Sequence, residues 1–225
     1  DLQQISAKGI SPEKLEQQLN DFKKGFPFLK LEGPAAIGKG IMAPTAEDAE
    51  KYINTWNEYK AQGRKIVKFV PASGAASRMF KDVFSFVDAD YNAPTSAFEK
   101  KYFESIKDFA FYETLDALLK EQTGKGIEAL MEEGDYKSIA KAMLDKEGLN
   151  YGQLPKGLLL FHNYCDGART PMEEHLVEAA LYANSNGEAD VHFTVSNEHL
   201  ELFKAKVAEK ADKYAEKYNI KYNIS

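Results

Sequence analysis

The chain of 225 residues has a single cysteine, Cys165, so it forms no internal disulfide and no cysteine-cluster zinc site. It lacks any apolar run of the roughly 18 to 20 residues that a membrane-spanning helix requires. It also lacks a basic excess, because 29 Lys and Arg residues stand against 35 Asp and Glu, for a formal net charge of −6. This balance disfavours a protein whose whole surface binds nucleic acid, but it leaves local basic pockets possible.

The start of the chain has no basic segment followed by an apolar segment and a cleavage site, as a secretory leader would. With 44% hydrophobic and 28% charged residues, the composition is that of an ordinary globular protein. We therefore expect a soluble protein of the cytoplasm, with neither a membrane nor a nucleic acid as its partner.

Strand patterns alternate with helix patterns after residue 65, which predicts an α/β fold with a mostly parallel sheet flanked by helices. Residues 1–64 form a predicted N-terminal helical segment, and residues 65–225 a predicted nucleotide-binding domain with a helical insert at about 92–150. The insert includes one long predicted helix, from Phe98 to Lys120. The predicted strands are Lys65–Val70, Gly157–His162, Asp190–Val195 and a last one within Tyr218–Ser225. Because the pattern stops on a strand, we expect a further C-terminal part of the protein.

The segment after the first predicted strand is rich in small residues: it runs Ser73-Gly74-Ala75-Ala76-Ser77 and continues into Arg78 and a predicted helix. A phosphate close to the backbone needs neighbours with little or no Cβ, and the positive end of a helix favours its charge. Arg78 adds a bidentate phosphate donor. The pattern is typical of an anion site, although a close-packed turn would use the same small residues.

Two more cations are candidate phosphate contacts. Lys156 follows Pro155 directly before the second predicted strand, where its charge can reach a ligand in the crevice of the sheet. Arg169 precedes Thr170 at the start of a predicted helix, which is a favourable place for an anion.

Three other motifs give weaker evidence of function. Gly33 to Lys39 matches the first seven positions of a P-loop, but Gly40 follows where Ser or Thr would bind magnesium, which also weakens a kinase-like function. The four histidines form no zinc pair of the H-E-x-x-H kind; His175 merely has glutamates near it on one helix. Cys165 lies three residues from His162 with no specific sign of a catalytic pair, so we interpret it as structural.

Two motifs together point to a family. The segment F-V-P-A-S-G-A-A-S-R-M, followed much later by L-P-K-G-L-L, resembles the signature of nucleoside-diphosphate-sugar pyrophosphorylases. Over essentially its whole length, including R-T-P-M-E-E-H-L, the chain also resembles the N-terminal part of the bacterial domain-of-unknown-function family 4301.

The resemblance implies a nucleotide-diphospho-sugar transferase fold of the GT-A type and a sugar nucleotidyltransferase activity. A sugar phosphate would attack the α-phosphate of a nucleoside triphosphate, with Arg78 and Lys156 as the catalytic residues. Ser73, Gly74, Ala75 and Ser77 would bind the phosphates. Magnesium is implied by the resemblance only, and its ligands are unknown. Ser73 and Ala76 stand where the pyrophosphorylases usually have glycine, so the alternative is a non-catalytic module that binds a nucleotide-sugar or has a regulatory role.

Overall fold

The computed structural model of the protein describes residues 1–72 and 74–225. It divides into two compact units, Asp1–Tyr52 and Ile53–Ser225, and the boundary falls within one helix. The fold is mixed α/β, as the sequence predicts.

The first unit contains two helices, α1 (Leu2–Ala7) and α2 (Pro12–Lys24), neither of which has a buried residue. The Ser11 side chain caps α2 by accepting from the Lys14 N–H group, and Gly25 ends it, as expected. Two-residue strands, β1 (Ala36–Ile37) and β2 (Gly40–Ile41), follow. A strand rather than a helix thus comes after Lys39, which agrees with the rejection of a P-loop here. Helix α3 (Ala46–Ala61) crosses into the second unit.

The second unit is built on a three-stranded parallel sheet. The sheet consists of β3 (Val67–Pro71), β6 (Glu188–Thr194) and β7 (Lys221–Ile224). Two further strands of this unit, β4 (His162–Tyr164) and β5 (Gly167–Arg169), form a separate antiparallel hairpin. The sheet order is β3-β6-β7, and Val67 is in register with Asp190. One face of the sheet is buried through Val70, Val191 and Phe193.

The helices are α4 (Lys81–Asp88), α5 (Ala97–Glu104), α6 (Tyr112–Thr123), α7 (Ile127–Glu132), α8 (Tyr136–Leu144), α9 (Pro171–Tyr182) and α10 (Leu200–Tyr218). Helices α4 to α8 share one apolar core, and α9 and α10 pack with the sheet in a second. Thr170 caps α9 by accepting from the Glu173 N–H group, and the Glu173 carboxylate accepts from the Thr170 N–H group in return.

Two expectations about the chain path are wrong. The long helix predicted from Phe98 to Lys120 is interrupted after Glu104, because Phe109 adopts an extended backbone and Phe111 turns into the core. The predicted strand Gly157–His162 is instead a 3-10 turn, Lys156–Leu158, and only His162 begins a strand. Leu159 is buried in the helical core and Leu160 packs against that core, so these residues are shielded from water without a sheet partner.

Candidate functional site

The carboxyl ends of β3 and β6 meet at the same edge of the sheet, because the two strands are parallel. A cavity of about 170 Å³ opens at this edge, and its walls include Gly74, Lys156, Gly157, Pro171 and His175. Crevices at the carboxyl ends of parallel strands are the usual ligand sites of open α/β sheets. We therefore take this cavity, called the sheet-edge cavity below, as the candidate functional site.

Two segments that are distant in sequence join at this cavity. Ala75, in the small-residue loop, forms an isolated antiparallel bridge with Pro155. The Lys156 N–H group donates to the Gly74 carbonyl at 2.9 Å. The loop and the Pro-Lys segment were separate candidates in the sequence, and the structure brings them into direct backbone contact.

Most of the loop faces solvent. Gly74, Ala75, Ser77 and Arg78 are exposed, while Ala76 is buried and anchors the loop in the helical core. Within residues 1–72 and 74–225, no carbonyl accepts a hydrogen bond from the backbone N–H groups of Ser77 and Arg78. Helix α4 begins at Lys81 with no side-chain cap. The predicted contact of Ser73 lies outside the described residues.

The two predicted catalytic cations, Arg78 and Lys156, are both exposed. Neither makes an ion pair or a side-chain hydrogen bond with any described residue. Several other lysines of the second unit are neutralised by nearby carboxylates; Lys68, for example, pairs with Glu178 at 2.7 Å. Arg78 and Lys156 thus keep their full charge available for an anion beside the loop.

The two glycines at this site, Gly157 and Gly74, differ in how closely other atoms pack around them. A Cβ on Gly157 would lie 2.7 Å from the Cζ of Phe203, so the packing of the cavity wall requires glycine there. A Cβ on Gly74 would meet no atom within 4 Å. The fold therefore does not require a glycine at position 74, and open space remains above the loop for a ligand.

The model of one family, the domain of unknown function DUF4301, matches residues 1–225. The chain belongs to this family. No curated protein and no solved structure gives a significant match.

His175 is a site residue that sequence reasoning set aside. It lies on α9 and lines the sheet-edge cavity, and its Nδ1 is 2.9 Å from Oε2 of Glu178. The ammonium group of Lys68 on β3 forms an ion pair with the same oxygen. Burial opposes ionisation of Glu178, but hydrogen bonds from Lys68 and His175 keep its pKa below the usual value. The signal in the sequence was the three-residue spacing of His175 and Glu178 on a helix that starts at a strand end.

Arg169 lies in a different environment from the other candidates. Its side chain is 8% exposed, its guanidinium donates to Asp166 at 2.9 Å, and Glu174 is 3.7 Å away. The guanidinium carbon also stacks 3.9 Å from the centre of the Tyr164 ring. Arg169 does not line the sheet-edge cavity, and two carboxylates already neutralise it.

Carboxylates are scarce around the site. No Asp or Glu lines the sheet-edge cavity, and the described residues contain no group of three or more metal ligands. Magnesium usually takes one or two protein carboxylates besides phosphate oxygens. The residues around this cavity therefore do not fit a magnesium site, and we derive no step through the metal.

Two other observations bear on earlier expectations. Cys165 is exposed in the turn between β4 and β5, so it does not contribute to a core. Among the described residues, no helix has both the length and the apolar character needed to cross a membrane.

Proposed function

We propose that this chain binds the phosphates of a nucleotide at the bridged loop and acts as a sugar nucleotidyltransferase, passing a nucleotidyl group to a sugar phosphate. The backbone bridge between Ala75 and Pro155 is the observation that carries the proposal. It joins the two segments whose sequences resemble the pyrophosphorylase signature. It does so at the edge of a parallel sheet, where such ligands bind. A GT-A type of fold is part of this proposal.

The charges of the site support phosphate binding. Arg78 and Lys156 flank a loop of small residues. The N–H groups of Ser77 and Arg78, which no described carbonyl accepts, precede the start of α4, which has no side-chain cap. Backbone donors at the start of a helix favour a phosphate, and a guanidinium adds two parallel hydrogen bonds. In the proposal the loop binds the triphosphate, and Lys156 contacts a phosphate oxygen.

The reaction would be a displacement at phosphorus. A phosphate oxygen of the sugar phosphate forms a bond to the α-phosphorus of the nucleoside triphosphate. The bond from that phosphorus to the oxygen bridging to the β-phosphate breaks, and pyrophosphate leaves with the electron pair. The attacking oxygen is already anionic, so the step requires positioning and charge neutralisation more than a base. Arg78 would neutralise the developing charge.

A non-catalytic nucleotide-sugar-binding module is the second candidate, and one observation favours it. Lys156 and His175 line the sheet-edge cavity beside small and apolar residues, and no carboxylate does. Such walls suffice to bind a phosphate, whereas they supply no protein ligand for the metal that nucleotidyl transfer commonly uses.

The test combines binding with turnover. Wild type, Arg78→Ala, Lys156→Ala and a control are heated with nucleoside triphosphates or nucleotide-sugars. The control, Lys146→Ala, removes an exposed charge outside the loop and outside the sheet-edge cavity. A ligand at 100 times its Kd stabilises the wild type by about 2.7 kcal/mol, or roughly 5 to 10 °C. We expect this shift in wild type and Lys146→Ala and its loss in Arg78→Ala.

Release of pyrophosphate from a triphosphate and a sugar 1-phosphate separates the two candidates. Release that depends on Arg78 supports the transferase. Binding without release would leave the non-catalytic module, and a thermal shift that survives in both Arg78→Ala and Lys156→Ala would contradict the site itself.

A further inference from the structure

A second cavity, of about 290 Å³, lies in the helical part of the second unit and is lined almost wholly by apolar groups. Its walls include the rings of Phe80, Phe98, Tyr102, Phe109, Phe111 and Tyr151. An apolar cavity of about 150 Å³ admits benzene, so this one, called the aromatic cavity below, has room for about two fused rings.

The aromatic cavity is open to solvent. Met79, Phe98 and Phe161 line it and yet are 41%, 42% and 37% exposed. Large apolar side chains that remain exposed around a concave surface mark a ligand site more often than an ordinary surface. An apolar group can therefore enter without unfolding of the helices.

Two tyrosines line the wall, Tyr102 and Tyr151, and the Tyr102 hydroxyl donates to the Met143 sulfur. The ring of Tyr151 is 5% exposed, and its hydroxyl oxygen accepts from the Leu160 N–H group at 3.1 Å. Burial raises the pKa of Tyr151, so the hydroxyl keeps its proton. No described atom accepts that proton in a hydrogen bond, which leaves a buried donor for a single acceptor on a ligand.

Two chain segments connect the aromatic cavity to the candidate phosphate site. The loop segment lines the sheet-edge cavity with Gly74 and the aromatic cavity with Met79 and Phe80. The second segment lines the sheet-edge cavity with Lys156 and the aromatic cavity with Phe161. The backbone bridge joins the two segments, and Arg78 immediately precedes the first aromatic-cavity residue.

A nucleobase is a poor occupant for the aromatic cavity. Its polar edge has several donors and acceptors, whereas the wall offers one free hydroxyl donor, and unpaired buried polar groups are costly. An aromatic ring without such an edge fits the wall, since aromatic pairs pack by edges and offset faces.

We propose that the aromatic cavity binds an apolar ring system of one or two rings, carried on the same ligand whose phosphate binds at the loop. This inference rests on the phosphate-binding loop of the proposed function, but it assigns a different class of ligand to that loop. The ligand is a phosphate ester of an apolar aromatic group rather than a nucleoside triphosphate.

The test uses three phosphate monoesters: methyl phosphate, phenyl phosphate and 1-naphthyl phosphate. Each is titrated into isotope-labelled protein, and the amide signals of Gly74 and Ala110 report on the phosphate site and the aromatic cavity respectively. We expect 1-naphthyl phosphate to bind at least tenfold more tightly than methyl phosphate, with phenyl phosphate between them. Only the two aromatic esters should move the Ala110 signal.

Variants that fill the aromatic cavity test whether the ring of the ligand binds there. Ala110→Phe should remove the gain from the ring while changing the methyl phosphate affinity less than twofold. Ala110→Leu is a smaller filling change that keeps the test open if the larger side chain prevents folding. Ala205→Phe on the exposed face of α10 is the control for an added ring and should keep the gain.

The outcomes separate the two proposals. Equal binding of all three esters at the Gly74 signal would overturn the aromatic inference and leave the proposed function intact. A gain that persists in both filled variants would also overturn it. If 1-naphthol moves the Ala110 signal but no phosphate moves the Gly74 signal, the phosphate site and the joint ligand both fail.

Discussion

Glu99 offers a sharp test of the electrostatics in this fold. It is the third residue of α5, 6% exposed, and its carboxylate accepts from the Thr95 and Ser96 N–H groups at 2.7 and 3.0 Å. The Tyr91 hydroxyl also donates to it at 2.9 Å. Burial opposes its ionisation, but these hydrogen bonds win and lower the pKa of Glu99 from 4.5 to about 2. The same helix carries Phe98 and Tyr102 of the aromatic cavity.

The sign of the pH dependence follows from that lowered pKa. A carboxyl whose pKa falls on folding adds stability above its ordinary pKa and loses it as the pH falls to the folded value. For Glu99, with a pKa lowered from 4.5 to about 2, the contribution is at most about 3 kcal/mol at pH 7. It falls to less than half of that by pH 3. The loss is therefore confined to the range between about pH 5 and pH 2.

Glu99→Gln keeps the shape of the side chain and removes its charge. Urea unfolding at pH 7, 5, 4 and 3 should show a variant that is less stable by about 2 to 3 kcal/mol at neutral pH and approaches the wild type in acid. Glu104→Gln, an exposed position on the same helix, is the control and should change stability little at any pH. A difference of equal size at pH 7 and pH 3 would refute the assignment to ionised Glu99.

Four further predictions concern stability and are measured by urea unfolding. Gly74→Ala should stay within about 0.5 kcal/mol of the wild type, since the new Cβ meets no atom, and a larger loss would show that the fold requires this glycine. Gly157→Ala should cost about 1 to 3 kcal/mol, because its Cβ would overlap the Phe203 ring; a neutral result would contradict that contact. Leu115→Ala, in the helical core, should cost about 2 to 5 kcal/mol, and less than 1 would mean that the core is loosely packed. Thr170→Ala removes the cap of α9 and should cost about 0.5 to 2 kcal/mol, whereas no change would show that Glu173 suffices alone.

Local signals predicted most helix starts. Ser11 with Pro12, and Thr170 with Pro171, begin helices as expected, because a hydroxyl that accepts from the third residue on is a local interaction. Strand β3 and the loop after it were also predicted, since β-branched residues followed by small ones leave few alternatives.

In the helical part, side-chain packing produced a structure that the spacing of apolar residues did not predict. The apolar residues from Phe98 to Lys120 fit one helix by spacing, yet Phe109 and Phe111 stack on each other at a bend, with ring centres 5.1 Å apart. The leucines of the run from Gly157 to Phe161 pack into the two apolar cores, and periodicity does not distinguish this from a strand.

The residues of the candidate site were predicted more completely than its arrangement. The small-residue loop, Arg78 and Lys156 were identified from residue chemistry, because a phosphate site needs small neighbours and cations. The meeting of the loop and the Pro-Lys segment at the Ala75–Pro155 bridge depends on contacts across about 80 residues, which no local pattern specifies. The role of His175 depends on which face of α9 meets the cavity.

The sequence by itself therefore determined the composition class, the capped helices and the α/β character, which follow from residue content and from local patterns; the phosphate chemistry of the loop stays a prediction. Only the tertiary structure decided where charge remains available. Lys156 at the sheet-edge cavity and Arg78 after the loop have no ion-pair partner among the described residues, whereas Arg169 is neutralised by Asp166 and Glu174. An arginine or lysine is a candidate ligand contact where no carboxylate lies beside it, and it is part of the fold where carboxylates neutralise it. Which of these holds depends on side chains from elsewhere in the chain.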